Sequence, residues 1–497
     1  MDSFDLLVIG GGINGAAIAR DAAVREAKVL LVEKDDLASH TSSASSKLIH
    51  GGLRYLEYYE FRLVREALQE REILLRTAPH IVRPLRFVLP QTQGMRPWWL
   101  LRAGLLLYDL LALRGSLSWA RSVGRNESAL REPLKDGSAR RLLSYWDAWV
   151  DDARLVVLNA MDAAERGAEI ATRTKFVSAR REGEYWHALL ADGRQVRAKA
   201  IVNAAGPWVA DVLKRQLREG SASKIRLIKG SHIVVPRLSE GDHAYILQQP
   251  DGRVVFAIPY GDFTLVGTTD IQVAAPGDAC ISPEEVRYLC DAANRYFVRQ
   301  TEPDDLVWSY SGVRALHDDG AAEAKAVTRD YHLELDQDPG AKLLSVFGGK
   351  ITTARALAEE ALDMLDMEGR RSTRVAPLPG GDLTPPFLAY LDQLRDGLDP
   401  ALVERLGRAY GTRLRDLLGD AATRSDLGRH FGAGLYEREV NYLVEHEIAR
   451  SAEDILWRRT KLGLAMTETE QKRLADYLGD QGPSCNGSVP GAGTSSI

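Results

Sequence analysis

Cysteine is scarce: three in 497 residues, Cys280, Cys290 and Cys485, with no CxxC or other metal-ligand spacing among them. A disulfide framework needs a denser, even set, so these thiols fit a reducing compartment, and no metal site is expected. An excess of basic charge is also missing. Sixty-four Lys and Arg face sixty-nine Asp and Glu, for a net charge of -5, which removes the counterion-release term that drives binding to nucleic acid. No stretch reaches the roughly 20 uninterrupted apolar residues of a membrane-spanning helix. The nearest, WWLLRAGLLLYDLLAL at 98–113, is broken by Arg102 and Asp109. That argues against crossing a bilayer and leaves open lying on one. The opening MDSFDLLVIGGG begins a fold element at once and lacks the basic n-region and cleavage site of a secretory signal.

What is present is globular in kind, 45% hydrophobic and 27% charged, and long enough for two or three domains. Residues 6–9, 13–25 and 28–33 read as strand, Ala-rich helix and strand, a βαβ start. Further strand-like runs fall at 200–202, 233–235, 254–258, 264–266 and 343–347, among helical stretches such as 62–76 and 353–365. From about Leu378 helices dominate. Asp399 with Pro400 reads as an N-cap and N1 pair, and Thr467 with Glu470 as a capping box, inside a separate helical domain at 380–480. The last residues, 481–497, are rich in Gly, Ser and Pro and are expected to be a disordered tail. No internal repeat is found.

The first chemical motif is GGGING, which places Gly10, Gly12 and Gly15 in GxGxxG register between the first strand and its helix. One glycine makes the turn, the next lets the backbone approach a pyrophosphate, and the third lets helix pack on strand, with the helix N-terminus toward the anion. Glu33 ends the second strand, where an acid accepts hydrogen bonds from ribose hydroxyls and repels a 2′-phosphate. Two later strands also run into small residues: KAIVNAAG, ending at Gly206, and SVFGGKITTAR, carrying Gly349, Lys350 and Thr352. Three such strand ends suit one long dinucleotide held by a discontinuous domain, and the last offers a helix N-terminus to a flavin ring. No second GxGxxG follows a strand, so the electrons are expected from a small substrate and not from NAD(P)H.

The segments IGGGINGAAIARDAA, TSSASSKLIHGGLRYLEYYEFRLVREAL, WVDDARLV, VNAAGPWV, IRLIKGSHIVVP, VGTTD, YSGVR and FGGKITTAR, in this order, resemble the FAD-dependent, membrane-associated glycerol-3-phosphate dehydrogenases of aerobic respiration. The resemblance implies an α/β chain. A doubly wound FAD-binding domain would come from residues 1–75, 151–225 and 311–372, an antiparallel substrate-domain sheet from 76–150 and 226–310, followed by the helical domain. It also implies oxidation of sn-glycerol 3-phosphate to dihydroxyacetone phosphate, electrons passed to a membrane quinone, a homo-oligomer, and a peripheral place on a lipid surface at the cytoplasmic face.

Within TSSASSKLIHGGLRY, the hydroxyls of Thr41, Ser42, Ser45 and Ser46 then serve as donors for pyrophosphate and flavin edges, with Ser43 among them, although any single Ser reads equally well as a turn-former. Gly51 and Gly52 permit close backbone approach, and Lys47 and His50 would lie near the isoalloxazine. Arg54 and Tyr55 would point into the substrate site, where a guanidinium grips phosphate in a bidentate manner. His232, Arg314, Arg329 and Lys350 complete a cationic set by the same resemblance. Arg329 joins Arg54 at the phosphate, and His232 is the expected base or hydrogen-bond partner, with Arg314 and Lys350 polarising the substrate oxygen. Taken singly, each Arg or Lys also fits a solvated surface charge, and His232 a structural histidine.

This chain departs from the family's usual pattern at Ala315, Ala354 and Glu26, where Pro, Tyr and Gly are common. Arg96, Trp98, Trp99, Arg102 and Arg114 flank the Leu-rich stretch, a pattern shared by an interfacial helix and by one buried between domains; burial is the expectation. Other readings stay open: an oxygen-using glycerol-3-phosphate oxidase, an FAD-dependent amine or amino-acid oxidase, and a non-catalytic flavoprotein scaffold.

Overall fold

Two sheets share most of the strands in the computed structural model, which describes residues 1–92, 96–112, 115–124, 126–219, 225–277, 279–317, 330–336 and 340–479. The first sheet has a parallel centre in the spatial order Lys342–Phe347, Gln195–Asn203, Asp2–Ile9, Val29–Val32, Glu169–Ala171. His332–Asp336 pairs antiparallel at one edge, and the hairpin Phe176–Glu182 and Tyr185–Leu190 folds back on Gln195–Asn203. Strands covered on both faces must be apolar throughout, and every residue of Val29–Val32 is buried. Helices Ile13–Val24, Asp152–Glu165 and Ala354–Met364 pack together on one face around the small side chains Ala16, Ala19, Ala153, Ala160, Ala358 and Ala361.

Parallel register has a direct consequence for the site. Strands Asp2–Ile9, Gln195–Asn203 and Lys342–Phe347 are neighbours, so the glycine-bearing turns after them lie side by side at the carboxyl edge of the sheet. That edge is where open α/β sheets bind ligands.

The second sheet has ten strands. Its main path is Ile271–Gln272, Ile225–Pro236, Phe263–Gly267, Val254–Tyr260, His243–Gln248, Val82–Gln91, Arg141–Val150, Leu48–Ile49, and Trp308–His317 pairs with Ile225–Pro236. Its pairings are antiparallel except between His243–Gln248 and Val82–Gln91. The division expected at 310/311 therefore cuts through a strand of this sheet, and Leu48–Ile49 joins it from within the segment given to the FAD domain. Local pattern marks a strand; only tertiary pairing assigns its sheet.

The C-terminal helices Pro385–Leu394, Pro400–Tyr410, Glu437–His446 and Glu468–Leu478 surround a core of their own, including Leu406, Leu414, Phe431 and Leu443. Both expected caps are present: Asp399 accepts from the Ala401 and Leu402 N–H groups, and Thr467 and Glu470 form a capping box. Buried charge ties this domain to the first. Asp36 accepts from Arg458 Nε at 2.7 Å and Arg459 Nη2 at 2.9 Å, and Arg154 pairs with Glu447. The tail at 481–497 lies outside the described residues.

Two local features differ from expectation. Glu26, in place of a common glycine, has φ +65°, a left-handed conformation that costs a side chain about 1 kcal/mol or more. Helix Trp98–Leu111 is not buried between domains: only Leu105 and Tyr108 are buried, while Trp99 is 69% and Leu110 52% exposed, and Leu100, Leu106 and Leu107 are exposed as well. Arg114 lies outside the described residues. Among those residues no helix is long and apolar enough to cross a membrane.

Candidate functional site

The turn after the first strand is built so that each glycine answers a different neighbour. Gly10 has φ +112°, and a Cβ there would stand 2.5 Å from the Ala204 carbonyl oxygen; one on Gly15 would stand 1.9 Å from the Gly10 oxygen. A Cβ on Gly12 would meet only Ser42 Oγ, at 3.1 Å, so its remaining side faces open space at the N-terminus of helix Ile13–Val24. Glu33 Oε2 accepts from the Gly11 N–H at 2.6 Å and Oε1 from the Asp35 N–H at 2.9 Å, which fixes the carboxylate at the strand end. Burial raises its pKa, and those two hydrogen bonds work against the rise. At the third turn Asn14 Nδ2 donates to the Gly348 oxygen at 3.0 Å, and Gly349, at φ +102°, packs beside the Asn14 amide. Gly206, at φ +54°, opens the second turn, and Thr352 is buried just beyond Lys350.

The hydroxyl cluster serves the protein more than expected. Thr41 Oγ1 donates to the Val313 oxygen at 2.6 Å, Ser42 Oγ accepts from the Ile13 N–H at 2.9 Å, and Ser45 Oγ donates to Asp152 at 2.8 Å. Ser46 Oγ lies 2.8 Å from His232 Nε2. Of the four, Ser42 accepts here and keeps its own O–H to donate. Lys47 is tied down in the same way: its buried ammonium bonds both Asp152 oxygens, at 2.9 and 2.8 Å. Asp152 lies within WVDDARLV, yet its pairing with Ser45 and Lys47, more than 100 residues away, leaves no local signal.

The second sheet contributes His232 and Arg314. His232, on strand Ile225–Pro236, stands in register with Gly267 and Tyr310; the absent Cβ of Gly267 makes room for the imidazole, and the Tyr310 ring stacks on it at 4.9 Å. Burial, then the positive charges of Lys47 and Arg314, push the His232 pKa down to about 3, so the ring is neutral. Its Nδ1 is buried and has no hydrogen-bond partner among the described residues. Arg314 is held by Asp270, a carboxylate in VGTTD that sequence reasoning did not single out. The Lys350 ammonium sits 4.1 Å above the Tyr55 ring and has no hydrogen-bond partner among the described residues. Tyr55 follows Gly52, at φ +73°, and its N–H donates to the Gly52 oxygen at 2.8 Å. Arg54 is half-buried beside it, and the His50 ring meets Phe256 edge-on at 6.3 Å. The structure thus brings His232, Arg314, Lys47 and Ser46 into one cluster and Tyr55 and Lys350 into another, with Arg54 next to Tyr55 in the chain. Arg329 lies outside the described residues.

Comparison with known proteins shows the family. Residues 5–362 match the family model described as FAD dependent oxidoreductase, and residues 371–480 the C-terminal domain of alpha-glycerophosphate oxidase. A glycerol-3-phosphate dehydrogenase of Pseudomonas aeruginosa is 53% identical over 97% of this chain and 96% of its own. The chain belongs to the FAD-dependent glycerol-3-phosphate dehydrogenase family. A D-erythritol 1-phosphate dehydrogenase of Brucella abortus is 50% identical over 96% of this chain and 98% of its own. Among solved structures, the glycerol-3-phosphate dehydrogenase of Bacillus halodurans complexed with FAD has a TM-score of 0.74 at 28% identity, covering 96% of this chain and 94% of that one.

The cofactor of this family member is FAD, and the residues present fit it. Open space beside Gly12, an N-cap residue with no side chain, suits a pyrophosphate, the fixed Glu33 suits a ribose, and Asn14 Oδ1 and Lys350 Nζ are buried polar atoms without a partner among the described residues.

Proposed function

We propose that this chain oxidises sn-glycerol 3-phosphate at C2 to dihydroxyacetone phosphate and passes the electrons to a quinone at a lipid surface. FAD supplies the two-electron acceptor. The protein's part is to bind a dianionic ester, orient its C2–H and receive the C2 hydroxyl proton. Arg54 serves the phosphate, with which a guanidinium makes charge-assisted, bidentate hydrogen bonds. Arg314, steadied by Asp270, and Lys350 supply positive charge where the C2 oxygen gains electron density. With Nε2–H donating to Ser46, the neutral His232 keeps a lone pair on Nδ1 as proton acceptor.

The observation that carries this reading is the buried His232, within hydrogen-bond distance of Ser46 and close to the positive charges of Lys47 and Arg314. A flavoprotein acting on amines has no comparable use for so many positive groups. A second reading, oxidation of a longer polyol phosphate, is supported by the likeness to the Brucella enzyme. Quinone access is supported by the exposed apolar face of helix Trp98–Leu111, which suits peripheral attachment at the cytoplasmic face. Assembly into a homo-oligomer is part of the same family expectation.

The test is anaerobic. Purified flavoprotein is mixed with sn-glycerol 3-phosphate, D-erythritol 1-phosphate or glycerol, and loss of oxidised-flavin absorbance is followed before a soluble quinone is added. Bleaching by the glycerol ester and recovery with quinone are expected. Faster bleaching by the erythritol ester shifts the substrate to the longer polyol, and no bleaching by either ester refutes the reading. Oxygen consumption matching quinone turnover moves the acceptor to oxygen.

A further inference from the structure

Helix Trp98–Leu111 sends one polar group inward. Tyr108, fully buried, accepts the Gly51 N–H on its hydroxyl oxygen at 2.8 Å and donates to Asp147 Oδ2 at 2.9 Å. Asp147 is held in turn by Arg71 Nη1 at 2.7 Å. Gly51 has no room for another arrangement, since a Cβ there would stand 2.8 Å from both Leu68 and the Tyr108 oxygen. One residue later the chain turns left-handed at Gly52, whose Cα packs so close to the Tyr55 ring that a Cβ would come within 2.2 Å of it. That ring carries the Lys350 ammonium at 4.1 Å. The contacts run without a gap from Tyr108 through Gly51 and Gly52 to Tyr55 and Lys350.

We propose that Tyr108 is a positioning residue for the substrate cradle: its hydroxyl fixes Gly51, and through the Gly52 turn sets Arg54, Tyr55 and the Lys350 ammonium. Burial, together with the Asp147 charge, raises the phenol pKa, which keeps the hydroxyl protonated and able to accept and donate at once. Asp147 holds the phenol, and Arg71 braces Asp147. Adjacent to Arg71, Glu70 receives Arg355 Nε at 2.7 Å and Nη2 at 2.6 Å, so one helix, Phe61–Thr77, anchors both the Gly51 loop and the helix start that follows Lys350.

The proposal rests on the reading that a phosphate ester binds beside Arg54, and its test separates the two. In the FAD-loaded protein Tyr108→Phe removes one oxygen and keeps the packing. Leu105→Ala loosens the same helix at its only other buried position and leaves the hydrogen bond in place. Tyr108→Phe is expected to raise KM for sn-glycerol 3-phosphate roughly five- to tenfold, with kcat within about twofold, and to weaken sulfite addition to the flavin by a similar factor. Leu105→Ala is expected to lower the melting temperature and leave both constants alone. In a cycle with Tyr55→Ala, the two changes in KM are expected to be less than additive, because both act through one contact. The proposal is overturned if KM and the sulfite constant of Tyr108→Phe stay within about twofold of the parent, if Leu105→Ala moves them equally, or if the cycle is additive. If the parent protein is not reduced by the ester, only the functional reading falls, since sulfite reports on the loop without substrate.

Discussion

Gly15 and Gly10 are in backbone contact: a Cβ on Gly15 would lie 1.9 Å from the Gly10 carbonyl oxygen, with no flexible side chain to move aside. Gly12, two residues from Gly10, has only Ser42 Oγ near its missing Cβ. The two positions therefore separate folding from binding. Gly15→Ala is expected to yield little soluble protein. Gly12→Ala is expected to fold with a near-parental melting curve as apoprotein and to bind FAD at least about tenfold more weakly, measured by fluorescence titration. Equal FAD affinity in Gly12→Ala would remove that glycine from the pyrophosphate site.

Acid should destabilise the protein through its buried histidines. His232 and His80 have pKa values pushed down to about 3, and His243 to about 4, against an ordinary 6.5, with burial the leading cause in each. Between pH 6.5 and those values the unfolded chain takes up protons that the native one refuses. Stability is therefore full above pH 6.5 and falls on acidification, by about 1.4 kcal/mol per pH unit for each such histidine. Carboxyls whose pKa burial raises act oppositely on acidification, Asp147 to about 6 and with it Asp21, Glu33, Glu66 and Asp109, so the histidine slope is clearest between pH 7 and 6. Urea unfolding at pH 7, 6 and 5 should show the decline, and a shallower one in His80→Gln. A level profile would mean that these rings accept protons in the native state.

Arg314 depends on Asp270 for its place. Asp270→Asn keeps a hydrogen-bond acceptor and loses the charge, and is expected to cut kcat/KM for the phosphate ester about tenfold. Arg314→Ala should cost about a hundredfold. Stopped-flow reduction of the flavin measures both. Near-parental rates in Arg314→Ala would take it out of the site.

Glu26→Gly should stabilise the protein by about 0.5–1 kcal/mol, because the position has φ +65° and glycine accepts it without strain. The Glu26 N–H donates to the Ala23 oxygen, and that turn geometry is unchanged by the exchange. A lower melting temperature in the variant would show that the side chain contributes more than the backbone strain costs.

These cases mark what the sequence discloses. Gly10, Gly12, Gly15 and Glu33 are legible because the turn, the helix start and the acid lie within 24 residues and their spacing has one geometric solution. Asp399 and Thr467 are legible because capping is local. The hydroxyls of residues 41–46 are not: that Ser45 and Lys47 serve Asp152 follows from a pairing across more than 100 residues. Helix Trp98–Leu111 has the composition of a buried helix, and its solvent-facing side is fixed by where Tyr108 must go. Asp270 is half of an ion pair whose other half, Arg314, stands 44 positions away.

The buried knot of Asp36 with Arg458 and Arg459 bears on how the chain is made. Its partners are separated by more than 420 residues, so during synthesis the N-terminal sheet emerges long before the arginines that neutralise Asp36. Until residue 459 leaves the ribosome, the nascent sheet carries an unpaired carboxylate on a surface meant to be covered. A chain stopped short of that point leaves Asp36 without either arginine, and removing the partner of a buried charge typically costs about 3–5 kcal/mol. The first sheet is thus finished only by the last domain to be made.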